Sequence, residues 1–167
     1  MDEPIEVVAY DSDWPARFER ERDLLADAIG PWAVDGIHHV GSTAVPGLEA
    51  KPTVDVLVGV DDLESSRACF EPLAGVGYLY APYRPQEMHW FCKPSPSRRE
   101  FHLHLVPAGA ARFRDELAFR DRLRVDAGLA REYAALKRSL AARFQNDREG
   151  YTDGKSDFVA RVLGLDG

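Results

Sequence analysis

The stretch HHVGSTAVPGLEAKPTVDVLV, residues 38–58, decides how this chain is read. Its last part, Val54-Asp55-Val56-Leu57-Val58, is strongly β-prone and carries one carboxylate. Side chains alternate along a strand, so Val54, Val56 and Val58 share one face while Asp55 and Leu57 share the other. A strand apolar on both faces is central in its sheet. A buried carboxylate without partners is costly. Asp55 therefore needs a cation, a metal ion or several N–H donors, or it lies where the strand opens into a cleft. The plain alternative is a carboxylate bonded to nearby backbone N–H groups, although strongly placed carboxylates cluster at functional sites.

Just upstream, Gly41-Ser42-Thr43 follows a short strand-like run at 36–40. A glycine-serine turn leading into a helix can offer backbone N–H groups and hydroxyls to phosphate oxygens. Many ordinary turns share that composition. Lys51 adds a cation shortly before the Asp55 strand. Further on, Phe101-His102-Leu103-His104-Leu105 alternates as a strand should. His102 and His104 project from one face while Phe101, Leu103 and Leu105 enter the core. Paired imidazoles on one face suit a divalent metal, phosphate binding or acid–base work; two half-exposed strand histidines with no such role are the plain alternative. Gly154-Lys155-Ser156 imitates the end of a phosphate-binding P-loop, but the required first glycine is replaced by Glu149 and no strand precedes it. Lys155 can still reach a phosphate from the start of the last helix, helped by the positive helix terminus. Arg120 and Arg124 are i, i+4 neighbours, a repulsive pair unless an anion or carboxylate joins them. They form either a solvated face or an anion site, and Arg120 is kept as a candidate phosphate ligand.

The remaining chain fits around these pieces. With 167 residues, one domain over 1–167 is expected, large enough for a proper core. The elements read as an arm at 5–10, a helix at 15–29, strands at 36–40 and 53–60, and a helix at 62–74. Strands follow at 78–81, 88–93 and 101–106, then helices at 110–126, 128–145 and 152–164. That order predicts an α+β fold: a small mixed β-sheet with helices packed on it and a helical C-terminal third. A net charge of −7 disfavours duplex nucleic acid, whose affinity comes largely from Lys and Arg on phosphates. It leaves room for a locally basic pocket. No apolar run has the length of a membrane span. The acidic N-terminus lacks the layout of a secretion signal. Cys69 and Cys92 have neither metal nor redox spacing. A cytoplasmic location is expected.

These residues resemble a known family. The runs His39-Val40-Gly41-Ser42-Thr43-Ala44-Val45-Pro46-Gly47-Leu48, Lys51-Pro52, Asp55 to Val60, and His102-Leu103-His104 are similar to the GrpB family of small bacterial proteins. So is the C-terminal run through Tyr151-Thr152-Asp153-Gly154-Lys155-Ser156. The resemblance implies a nucleotidyltransferase-like fold of the DNA polymerase beta type. In that fold a glycine-serine turn holds nucleotide phosphates and carboxylates hold two divalent metals. Gly41 and Ser42 match the turn, and Asp55 matches the first acid. Leu57 stands where the second acid belongs, and His102 and His104 stand on the strand expected to carry the third. A two-magnesium site is therefore not built, since magnesium wants carboxylates and water. Asp55, His102 and His104 would make one N/O site, better suited to Zn²⁺, Mn²⁺ or Fe²⁺ than to Mg²⁺; otherwise the cleft binds an anionic ligand without metal.

Two readings of function follow. In the first, the protein binds a nucleotide or other small phosphorylated ligand and transfers a nucleotidyl or phosphoryl group. Gly41, Ser42, Thr43, Lys51, Arg120 and Lys155 would bind phosphate, and Asp55, His102 and His104 would form the catalytic or metal centre. In the second, it is a non-catalytic, folding-assisting module associated with dephospho-CoA kinase and coenzyme A biosynthesis, because the family also occurs as a C-terminal extension of some bacterial dephospho-CoA kinases.

Overall fold

The computed structural model describes residues 4–164. Helix α1 (Trp14–Ile29) starts with Pro15 in its first turn, where proline loses no hydrogen bond. Its buried stripe is Trp14, Phe18, Glu21, Leu25 and Ile29. Strand β1 (Ile37–Val40) and β2 (Val54–Val60) flank the loop that carries Gly41 to Lys51. The predicted helix at 62–74 is instead a 3-10 turn, Ser65–Cys69, followed by α2 (Phe70–Gly75). Pro72 has no N–H to donate, so the α-helix begins where that proline falls in its first turn. Strands β3 (Leu79–Tyr80), β4 (His89–Pro94) and β5 (Arg99–Pro107) complete the sheet.

The C-terminal third is α3 (Ala111–Val125), α4 (Ala127–Arg143), α5 (Arg148–Asp153) and α6 (Ser156–Leu163). The last predicted helix, 152–164, corresponds to α6, and a separate short helix, α5, precedes it. The chain breaks at Gly154, where an added Cβ would stand 2.4 Å from Leu140 Cδ2 on α4, so Leu140 would have to shift to admit a side chain. That break puts Lys155 at the start of α6.

Among the described residues the five strands form one mixed sheet in the order β1-β2-β5-β4-β3. Strand β2 is antiparallel to β1 and parallel to β5. Both of its faces are buried, as its composition predicts. Val54, Val56, Val58 and Val60 pack with α1 residues such as Leu25 and Ile29. Leu57 packs on the opposite face with Val40, Met88, Val106 and Phe113. The N-terminal arm is pinned by a bridge between Val8 and Ala50, with N–H···O bonds of 2.8 and 3.0 Å. Glu21 is the one charged residue on the buried stripe of α1. It accepts hydrogen bonds from the Lys93 ammonium at 2.6 Å and the Tyr78 hydroxyl at 3.2 Å. Among the described residues no helix is long and apolar enough to cross a membrane.

Candidate functional site

The parallel register sets Asp55 beside His102 and Leu57 beside His104. Paired residues of neighbouring strands point to the same face. Asp55 and both histidines therefore meet on the face away from α1. Asp55 Oδ1 lies 2.9 Å from His102 Nδ1 and 3.8 Å from His104 Nε2. Burial raises the Asp55 carboxyl, but the His102 hydrogen bond and the charges of His102, His104 and Lys51 outweigh it and hold the group at about 2. Burial brings His102 down to about 4 in spite of Asp55. At neutral pH Asp55 is ionised and His102 is neutral. The shared hydrogen bond then requires the proton on Nδ1, which leaves a lone pair on Nε2. That Nε2 is buried and has no hydrogen-bond partner among the described residues.

His104 is a second imidazole–carboxylate pair. Its Nδ1 is 2.8 Å from Glu116 Oε1 on α3. Burial opposes its protonation, but the Glu116 charge and hydrogen bond, with Asp55, raise it above the ordinary imidazole value.

Gly41 lies directly over Asp55. Its φ is +74°, and a Cβ there would sit 2.4 Å from Asp55 Oδ2. Only glycine permits both the backbone angle and the approach. Ser42 and Tyr133 of α4 line the same cavity as Gly41 and Asp55. These residues line a cavity of about 560 Å³ together with Lys51, Lys137 and Lys155. The ammonium groups of Lys51 and Lys155 lie 4.9 and 4.6 Å from the centre of the Tyr151 ring. Lys137 Nζ lies 4.8 Å from the centre of the Tyr133 ring and donates to the Glu49 carbonyl. Burial, then the Lys155 charge, brings Lys51 down to about 7. Burial, Lys155 and Lys51 bring Lys137 down to about 7. The three lysines share this cleft with Arg99 and Arg148 and with the carboxylates of Glu149 and Asp153.

Of the residues singled out in the sequence, Asp55, His102, His104, Gly41, Ser42, Lys51 and Lys155 line this cavity. Two do not. Thr43 is buried with its hydroxyl 2.8 Å from His39 Nε2, an interior bond that closes the turn from behind. Arg120 belongs to a separate crevice behind the turn. It donates to the His39 carbonyl at 3.1 Å and pairs with Asp121, while Arg124 donates to the Ala44 carbonyl at 2.9 Å. The two arginines hold the ends of the Gly41-Ser42-Thr43 turn rather than facing the cleft. The sequence reading missed Glu116, Tyr133, Lys137 and Tyr151. Lys137 carried a usable signal: it falls on the buried stripe of α4 with Tyr133, Ala134, Leu140 and Ala141, where a lysine must have a reason to be.

The metal expectation meets an unfavourable donor set. Among the described residues no three His, Cys, Asp or Glu side chains are grouped so as to hold a metal ion. The His102 nitrogen nearest Asp55 is occupied by the hydrogen bond between them.

His39 shows what this packing costs in acid. Its ring stacks on Phe18 at 4.8 Å, and burial, with the charges of Arg124 and Arg120, outweighs Asp55 to bring it down to about 4 from 6.5. A base whose folded value is depressed favours folding only while it is neutral. Stability should therefore fall as pH drops from 6.5 toward 4, by up to about 3 kcal/mol from this group. His102 adds to the same window, and Asp55 adds a further loss below its ordinary value of 3.8. Urea unfolding at a series of pH values checks this, and His39→Gln should flatten the upper part of the profile.

The family follows from comparison with known proteins. A family profile described as GrpB protein matches residues 4–164. The chain belongs to the GrpB family. A UPF0157 protein of Pseudomonas aeruginosa is 40% identical over 98% of this chain and 68% of its own length. The crystal structure of the conserved protein GrpB from Enterococcus faecalis superposes with a TM-score of 0.85 at 28% identity, covering 95% of each chain. A dephospho-CoA kinase of Mycolicibacterium paratuberculosis is 27% identical over 89% of this chain, which spans 42% of that protein. A cytoplasmic RNA terminal U-transferase superposes with a TM-score of 0.50 at 16% identity over 80% of this chain and 40% of that one. This GrpB-family chain thus has the α+β nucleotidyltransferase-like fold that its sequence predicts.

Proposed function

We propose that the cleft binds a nucleotide or another phosphate-bearing ligand and supports transfer of a nucleotidyl or phosphoryl group. The observation that carries this reading is the convergence of Lys51, Lys137 and Lys155 on a cavity floored by Asp55 and His102. Buried cations crowded together are stabilised by an anion, and phosphate is the anion that lysine meets most readily as a point charge. The neutral His102, oriented by Asp55, offers Nε2 to the proton of an attacking hydroxyl or water. The attacking oxygen forms its bond to phosphorus as that proton leaves. The bond from phosphorus to the departing oxygen breaks with the electron pair on that oxygen, which takes its proton from solvent.

The experiment is thermal unfolding with ATP, CTP, GTP, UTP, dephospho-CoA and coenzyme A. A ligand at a hundred times its dissociation constant should stabilise by about 2.7 kcal/mol, and Lys51→Met should remove the shift. No response to any of these compounds would leave the first reading without support.

A second reading is a non-catalytic module that assists dephospho-CoA kinase. Burial of Leu57 where the resemblance puts a second acid favours it, as does the similarity to the mycobacterial kinase. It requires that this chain bind such a kinase or raise its refolding yield. A titration showing neither would remove it.

A further inference from the structure

In two-metal transfer sites, divalent ions held on carboxylates meet the charge of the phosphates. The charge balance of this cleft differs. Leu57 is fully buried in an apolar cluster and does not line the cavity. Asp55 already accepts the His102 hydrogen bond. The positive charge is instead covalently attached, on Lys51 before β2, Lys137 in α4 and Lys155 at the start of α6. Two of the three ammonium groups lie over one aromatic ring, Tyr151. Among the described residues none of the three lysines forms an ion pair with a carboxylate, whereas Lys93 elsewhere pairs with Glu21 at 2.6 Å.

We propose that Lys51, Lys137 and Lys155 take the place of the metals, so that the cleft binds the linked phosphates of its ligand free of magnesium and Mg²⁺ competes with the protein for them. This deepens the phosphate-ligand reading and rests on it. Burial leaves Lys51 and Lys137 at about 7 in the free protein; bound phosphates favour the charged ammonium on each, and the charge of two or three linked phosphates is of matching size. A magnesium ion on those phosphates would add two positive charges beside three fixed ones. It needs near-octahedral oxygen ligands, whereas Asp55 is committed to His102 and Glu116 to His104, which leaves Glu149 and Asp153 of α5 as the other lining carboxylates. The ligand class is therefore a di- or triphosphate, such as a nucleoside triphosphate, the diphosphate of a coenzyme A compound or inorganic tripolyphosphate.

Calorimetric titration of the full chain with inorganic tripolyphosphate, ATP and coenzyme A, each in EDTA and in excess Mg²⁺, tests this. Binding should be at least about tenfold tighter in EDTA, a difference of about 1.4 kcal/mol. Lys155→Gln, at a helix start, should weaken binding in EDTA by about tenfold or more while leaving the melting temperature of the free protein nearly unchanged. If Lys155→Gln unfolds the chain, Lys51→Met gives the same readout. A ligand that binds only with Mg²⁺, or equally in both buffers, overturns the metal-free proposal and leaves the phosphate-ligand reading standing. Binding of none of the three in either buffer overturns both. Comparing tripolyphosphate with ATP and coenzyme A shows whether the phosphates alone or the attached nucleoside is recognised.

Discussion

Leu57→Asp should unfold the protein rather than restore a second metal ligand. The position resembles the second acid of a two-metal site, so the change looks like a repair. Leu57 is nevertheless fully buried between Val40, Val106, Phe113 and their neighbours. Losing a leucine from such a place costs about 2–5 kcal/mol through lost burial and the cavity left behind. The carboxylate adds its own penalty, whether it stays ionised without a partner or takes up a proton without hydrogen bonds. The sum is at least about 4 kcal/mol against the 5–15 kcal/mol typical of a whole domain. Urea denaturation at neutral pH should show a midpoint near zero or no folded baseline. Leu57→Met, which conserves volume, should cost less than about 1.5 kcal/mol. A Leu57→Asp protein that folds normally and acquires magnesium affinity would show that the position opens to the cleft, and the metal-free proposal would fall with that result.

Gly41→Ala should be the second most damaging change and should act at the site itself. A non-glycine residue at φ +74° costs on the order of 1–2 kcal/mol. The new Cβ would also overlap Asp55 Oδ2 at 2.4 Å, so either the turn or the carboxylate must move. Moving the turn works against the Arg120, Arg124 and His39 bonds that hold it. Moving Asp55 breaks its bond to His102. A stability loss of about 2–4 kcal/mol is expected. Any nucleotide-induced thermal shift should disappear even where the folded state persists at low temperature. Gly47 provides the control, because it shares a positive φ but an added Cβ meets nothing within 4 Å. Gly47→Ala should lose only the backbone cost and keep ligand response. Equal effects at the two positions would mean that contact with Asp55 is not what matters at Gly41.

The sheet and its floor were legible because they depend on strand alternation. Period two places Asp55 opposite Val54 and Val56, and His102 with His104 opposite Leu103, before any partner strand is known. The parallel pairing of β2 with β5 then brings the two short signals together. Helix bounds were less legible where proline and glycine act through packing. Gly154 follows α5 where an added Cβ would meet Leu140 Cδ2 at 2.4 Å, and Leu140 lies on another helix. The same holds for the cleft wall. Glu116, Tyr133, Lys137 and Tyr151 sit in three different helices, and of the four only Lys137, on the buried stripe of α4, stands out from its helical surroundings. Arg120 lies outside the cleft, donating to the His39 carbonyl and pairing with Asp121, a placement that its sequence position does not reveal.

By itself the sequence determined the α+β class, from the order of its elements, and the central strand, the glycine-serine turn, the face of Asp55 and the common face of His102 and His104, from patterns within single segments. Only the tertiary structure decided which cations surround them. Helices α4 and α6 deliver Lys137 and Lys155 beside Lys51, and α3 turns Arg120 and Arg124 to the back of the turn. Those placements depend on how helices pack across the sheet, a matter of shape between distant segments that no local pattern encodes.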